Sequence, residues 1–304
     1  MRIVFLGTPD FALPSLRAIR ATHHEIVAVI TQPDKPGNRR VMTPPPVKVE
    51  AEAMGLPVYQ FASLRKEGVS LIKGLAPDLM VTAAFGQIIS QEILDIPKYG
   101  TFNVHGSLLP KYRGSSPIQQ CLLNGDEVTG VTIMRTALAV DSGDIILKKE
   151  IKIEAADTAG TLFDKIADLG AEAIIEAIDL LEKGKISYAP QDHSQATFCK
   201  MISKSDALIT RETDALTALR KVRAYDPWPV AFVMIGGERL RLYNAKEATQ
   251  KGEVGTFYEE GGMLCLNLQG GAIAVSDVQA EGKRVMTAGE YLLGHKEILD
   301  KSIE

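Results

Sequence analysis

Residues 2–6 (RIVFL) form a short apolar run that stops at Gly7, and residues 11–21 then carry apolar positions at helical spacing, after Asp10 and before His23 and His24. A strand, a turn and a helix in that order leave few folds open, because a following parallel strand requires a crossover. A second β-rich run occupies residues 25–31, and further apolar strands are expected at 79–82 and 101–104. Strands alternating with helices predict an α/β fold built on a mostly parallel, doubly wound sheet. Leu162, Ile166, Leu169, Ile174, Ile178 and Leu181 lie at helical spacing within residues 158–183, from a Thr158 cap to a stop before Gly184. That helix is expected to close the first domain.

The pattern changes near residue 205. A helix-like stretch, DALTALRKVRA, precedes short β-like runs (VAFVMI, RLRLYNA, GTFY, MLCLNL, AIAVSDVQA) punctuated by glycine, as in a small antiparallel barrel. A chain of 304 residues suits two domains. We expect a first domain over residues 1–185, a polar linker over 186–205 and a second domain over 206–304.

Several classes are disfavoured. The apolar run at the N-terminus is too short for the core of a signal peptide, and no stretch reaches the ~18 apolar residues of a membrane span. Cys121, Cys199 and Cys265 are widely separated and lack metal-ligand spacing, which predicts reduced thiols, a cytoplasmic protein and no structural metal. The net charge of −4 argues against wholesale nucleic-acid binding but permits local basic patches. Residues 7–11 (GTPDF) hold one glycine where a dinucleotide fingerprint needs three, so NAD is not expected.

The chemistry concentrates in FNVHGSLLP, residues 102–110, where an apolar strand runs into a turn. Ligands gather at the carboxyl ends of strands in such sheets. Asn103 and His105 are two apart, so on an extended strand they share a face. Asn103 could donate an amide N–H to a developing oxyanion, and His105 could exchange a proton near neutral pH. Equally, an Asn can fix a turn and a histidine can be satisfied within a fold. The second polar constellation, VDSGD at 140–144, reads by itself as a hairpin turn. Near His105, however, Asp141 would orient the ring and favour its protonated form.

Residues 32–48 (QPDKPGNRRVMTPPPVK) hold five prolines and a glycine, which deny them regular structure. Lys35, Arg39, Arg40 and Lys48 against Asp34 give this loop a local charge of +3. Long loops inside compact domains are commonly functional, although a solvated basic loop is the plain alternative.

Taken together, MRIVFLGTPDFA, QPDKP, FNVHGSLLPKYRGSSPIQ and VDSGD closely resemble the folate-dependent formyltransferases, most specifically through HGSLLPKYRGSSP. The resemblance covers most of the first domain, and RAYDPWPVAF in the second resembles the branch whose acceptor is methionyl initiator tRNA. It implies a Rossmann-like domain that binds 10-formyltetrahydrofolate as formyl donor, and an OB-like barrel that helps to hold the tRNA. It assigns catalysis to Asn103, His105 and Asp141 without a metal or covalent nucleophile. Folate contacts are expected at Phe85, Gly86, Gln87, Ile88, Ser107, Leu108, Leu109, Pro110, Val140, Ser142, Gly143 and Asp144. Expected tRNA contacts are Lys35, Arg39, Arg40, Lys48, Arg220 and Arg223, on a monomer.

Two details depart from that pattern. The basic loop reads GNRR, shorter than the family's loops, and Val230 stands where glycine is expected. Residues 206–304 carry twelve Lys and Arg against fifteen Asp and Glu, so any tRNA surface there must be local. Trp228, between two prolines, is expected to be a packing anchor. The alternatives are a formyltransferase for a small amino sugar or nucleotide, and a noncatalytic folate- or tRNA-binding protein.

Overall fold

The computed structural model describes residues 1–36 and 42–304. By internal contacts the chain forms two compact units: the first comprises residues 1–117, 128–152 and 163–199, and the second residues 118–127, 153–162 and 200–304.

The first unit is organised by a seven-stranded sheet. Its strands are β1 (Arg2–Gly7), β2 (Glu25–Thr31), β3 (Val58–Gln60), β4 (Leu79–Ala83), β5 (Thr101–His105), β6 (Val128–Arg135) and β7 (Ile145–Lys152). The spatial order is β7-β6-β5-β4-β1-β2-β3. The five strands from β3 to β5 run parallel, and β6 runs antiparallel to both of its neighbours, β5 and β7. The mostly parallel α/β sheet expected from the alternating pattern is thus present, and its order reverses between β1 and β4. Ile3, Val4, Phe5, Leu6, Leu79, Met80 and Val81 are fully buried, as strands covered on both faces require. The helix α1 (Leu13–Arg20) follows a single 3-10 turn. The expected helix near 158–183 is α2 (Ala159–Glu182). Its Gly170 lies against β5: an added Cβ would come 2.7 Å from Val104 Cγ1, so the glycine permits close approach beside Asn103 and His105.

In the second unit, α3 (Ala215–Ala224) is followed by β8 (Phe232–Ile235), β9 (Glu238–Ala248), β10 (Phe257–Glu260), β11 (Met263–Leu268) and β12 (Gly271–Ala280). These strands form an antiparallel sheet in the order β8-β9-β12-β11-β10, with Met286–Thr287 paired to β12. Leu240, Leu242, Phe257, Leu264, Leu266, Ile273, Val275 and Val278 converge on one core with Ala218 and Val222 of α3. Each of the short apolar runs in the sequence supplies one of these strands.

Trp228 differs from expectation. It is 52% exposed, because neighbouring Tyr225, Val230 and Ala231 take the buried positions. Val230 has φ 71, in the left-handed region that favours glycine and strains a β-branched residue, so glycine would fit this backbone better.

Asp214 caps α3 by accepting from the Thr217 backbone N–H (2.8 Å) and hydroxyl (2.7 Å). These bonds, the side-chain one foremost, hold its carboxyl below the usual range. Asp214→Ala is expected to destabilise the protein by about 1 kcal/mol in urea unfolding at neutral pH. A lowered folded-state pKa makes the cap's contribution complete above the unfolded carboxylate range and lost as pH falls through the folded value. The difference between Asp214→Ala and the parent should therefore shrink on acidification.

Candidate active site

Strand pairing builds the site. Asn103 lies opposite Thr82 of β4 and Met134 of β6, while His105, at the carboxyl end of β5, lies opposite Thr132. Thr132 pins the turn that follows, because its hydroxyl donates to Ser107 O (2.6 Å) and accepts from Leu109 N (3.1 Å). The Asn103 amide oxygen accepts from the Thr82 hydroxyl at 2.8 Å. That bond turns the amide NH2 away from Thr82 and keeps it available as the donor.

His105 is buried, with Nε2 3.0 Å from Tyr112 O. A carbonyl only accepts, so Nε2 carries a proton and donates, which leaves Nδ1 as the nitrogen facing Asp141. The Nδ1 to Asp141 Oδ2 distance is 3.6 Å. The same carboxylate oxygen accepts from Gly114 N at 2.8 Å. Asp141 has φ 47, a left-handed conformation that Asp tolerates better than most residues. The segment 136–144 is thus a loop whose Asp141 returns to His105, rather than a simple hairpin turn. Gly143 makes the fold-back possible, since an added Cβ would sit 1.7 Å from Arg135 O. Gly143→Ala is expected to displace the loop and lower turnover on the order of 10²-fold, read by steady-state kinetics on the folded variant.

Next to Asp141 lies a cavity of about 330 Å³ lined by Ser142, Gly143 and Asp144 together with Gln91, Leu94, Asp95, Gly100, Thr101, Arg135, Thr136, Ala137 and Leu138. Its volume falls at the lower end of small-molecule sites. The lining offers donors and acceptors of both charges. The Arg135 guanidinium sits 5.8 Å from the Tyr188 ring centre. Burial raises the pKa of the Tyr188 hydroxyl, with a smaller opposing effect from Arg135.

The other expected folate residues divide into groups. Phe85 is buried, and Gly86 adopts φ 76. Gln87 is occupied within the fold, donating to Phe61 O and accepting from Leu64 N, both at 2.8 Å. Ser107 and Leu109 are buried in the turn, Leu108 is half-buried against Gly130, and a cis bond joins Leu109 to Pro110. Ile88 and Val140 are exposed apolar side chains. The sequence gives no role to Thr82, Tyr112, Gly114 or the cavity residues 91–101; Tyr112 and Gly114 lie within HGSLLPKYRGSSP, and the others are marked only by their nearness to β4 and β5.

Among the expected tRNA contacts, Arg39 and Arg40 lie outside the described residues. Lys35 is exposed and donates to Gln32 Oε1 (2.6 Å). Lys48 is paired with Asp34 (3.0 Å) and bonded to Gln60 (3.0 Å). The hydrogen bonds from Gln60 and then Lys48 hold the Asp34 carboxyl below its ordinary range. Arg223 donates to Asp157 O (2.8 Å) and Glu154 O (2.9 Å) within the second unit. Arg220 lies against Gly125.

Cys199 approaches Tyr112 O (3.6 Å) and Arg113 O (3.4 Å). Burial pushes its thiol pKa up, which makes it a poor nucleophile. Among the described residues, no helix is long and apolar enough to cross a membrane.

Comparison with known proteins finds matches in both halves. Residues 1–178 match the formyl transferase family, and residues 201–296 match the formyl transferase C-terminal domain. The chain is 42% identical over 299 residues to a methionyl-tRNA formyltransferase of Geotalea daltonii, covering 97% of this chain and 96% of that protein. It is 45% identical over 305 residues to one from Desulfotalea psychrophila, covering 97% and 93%. Among solved structures, the sugar 3N-formyltransferase WlaRD matches with TM-score 0.69 at 18% identity, covering 93% of this chain and 99% of that one. HypX from Aquifex aeolicus in complex with tetrahydrofolic acid matches with TM-score 0.63 at 19% identity, covering 98% and 47%. A methionyl-tRNA formyltransferase from Clostridium thermocellum matches with TM-score 0.56 at 18% identity, covering 92% and 98%. At these identities the solved structures speak to the fold.

Proposed function

The chain belongs to the formyl transferase family, and from that premise we propose how it transfers a formyl group from 10-formyltetrahydrofolate to the α-amine of methionyl initiator tRNA. The observation that carries the reading is the approach of Asp141 to His105 (3.6 Å) at the end of the strand that also bears Asn103, with Ser142–Asp144 next to Asp141 lining the cavity, in a chain similar along both halves to methionyl-tRNA formyltransferases. The mixed polar lining, with Arg135, Asp95, Asp144, Gln91 and Ser142, fits a heterocycle that presents both donors and acceptors.

The donor substrate supplies the formyl carbon. The unprotonated methionyl amine attacks it, forming a C–N bond and a tetrahedral oxyanion. Asn103 donates its amide N–H to that oxygen, and protonated His105 donates from Nδ1. Asp141 supports the imidazolium and holds the ring's orientation. Collapse breaks the bond to the folate nitrogen, which leaves with a proton, while the amine nitrogen gives one up; His105 is placed to carry that proton between them. The amine, the oxyanion donors and the leaving nitrogen must meet within about 3 Å, and strand β5 supplies the fixed geometry. The protein acts in the cytoplasm, where the charged initiator tRNA and reduced folate are found.

Incubation with both substrates should yield N-formylmethionyl-tRNA and tetrahydrofolate in equal amounts. If charged tRNA stays unformylated while a small amino sugar or nucleotide is formylated efficiently, the acceptor is wrong.

The basic loop supplies the acceptor contact. Replacing both Arg39 and Arg40 by alanine is expected to raise KM for tRNA about tenfold, with KM for the folate unchanged. The slope of tRNA affinity against salt should also fall by about 1.8 in log–log terms, roughly 0.9 for each phosphate no longer neutralised. An unchanged slope would assign tRNA binding to other residues. Lys48 and Arg223 make smaller contributions, because their charged groups are engaged within the fold.

A further inference from the structure

Gln191 lies in the polar stretch before the second domain, yet it is buried, and every hydrogen-bonding position of its amide is used. Its Oε1 accepts from Arg113 Nε (3.1 Å) and from the adjacent Arg113 NH2 group (2.6 Å). Its Nε2 donates to Asp141 O (2.9 Å) and Gly143 O (2.7 Å). The amide can sit only this way round, because a guanidinium offers only donors and a carbonyl only accepts. A two-bond bridge between Ile145 and Ala189 (2.8 and 2.9 Å) brings the segment there.

The connections close a ring. Arg113 holds the Gln191 oxygen, Gln191 holds the Asp141 and Gly143 backbone, and the Asp141 carboxylate returns to Gly114 N, the residue after Arg113. Gly114 is itself fixed, because Arg113–Gly114 pairs with Phe198–Cys199. The backbone and the side chain of Asp141 are therefore anchored separately to one short strand. Asp141 faces His105 Nδ1 across 3.6 Å, so a shift in its backbone alters that separation directly.

We propose that Gln191 is a positioning residue for formyl transfer, acting through Asp141 by tying the backbone of residues 141–143 to Arg113. The inference rests on the reading of Asp141 given above. Gln191 touches neither reacting group; it sets where the carboxylate stands.

Gln191→Glu isolates the effect. It keeps the acceptor for Arg113 and adds an ion pair, but removes both N–H donors to the loop. Its kcat is expected to fall on the order of 10- to 100-fold, with KM for both substrates changed less than about twofold, in protein that unfolds cooperatively well above the assay temperature. Gln191→Met, close in volume and unable to hydrogen-bond either partner, should show the same loss of kcat. A structural role alone would not produce the decisive result: with Asp141→Asn in place, Gln191→Glu should cause no further loss, because both changes remove the same placed carboxylate. Parental kcat in the folded Gln191→Glu and Gln191→Met proteins would overturn the proposal, as would losses that multiply in the double variant. If Asp141→Asn alone keeps full activity, the reading of Asp141 falls and the positioning role falls with it. An inactive Asp141→Asn beside a fully active Gln191→Glu would overturn only the role of Gln191.

Discussion

Asn103→Ala should lower kcat about 10²- to 10³-fold, the loss of roughly 3–4 kcal/mol that removal of one oxyanion donor produces. Affinity for tRNA should hardly change, because the side chain meets the reacting oxygen rather than the nucleic acid. The geometry sharpens this expectation. Thr82 donates to Asn103 Oδ1 at 2.8 Å, so the amide presents N–H rather than C=O. Asn103→Asp would place an acceptor, and a negative charge, where a donor is needed, and should be at least as damaging as alanine. Thr82→Val removes only the orienting bond and should cost a few-fold, near the ~1 kcal/mol of one hydrogen bond. Single-turnover formylation at saturating tRNA separates these effects from product release. A parental rate for Asn103→Ala would remove Asn103 from the oxyanion site.

The elements were far more legible in the sequence than the contacts between them. Apolar runs at 2–6, 79–82 and 101–104 became β1, β4 and β5 because a buried parallel strand is apolar nearly throughout. Asn103 and His105 could be placed on one face from their spacing. Asp141 could not, since it reaches His105 through a loop that depends on a left-handed residue and a close-packed Gly143. Gln191 lies 50 positions beyond Asp141, and a buried amide leaves no periodic trace. Charge counting had its own limit: Lys48 and Arg223 look identical in sequence to free cations, yet one neutralises Asp34 and the other binds backbone carbonyls. Trp228 failed as a packing anchor because hydrophobicity identifies residues able to fill a core, not those among close neighbours that do.

His105→Ala should be the most damaging single change, lowering kcat by about 10²- to 10⁴-fold, the range for a positioned general acid or base. Nε2 is committed to Tyr112 O, so the expected route of proton exchange is Nδ1, on the side of Asp141. Asp141→Asn then becomes the informative comparison. Asparagine also tolerates φ 47 and can still accept from Gly114 N, so the backbone should hold while the charge is lost. Its loss should not exceed that of His105→Ala, because Asp141 acts through the imidazole rather than on the substrate. The double variant should be no slower than His105→Ala alone, as for residues that work as one unit. If the two losses multiply, Asp141 must act on the reaction independently of His105, most directly by meeting the incoming amine, and the proton route through Nδ1 would have to be redrawn.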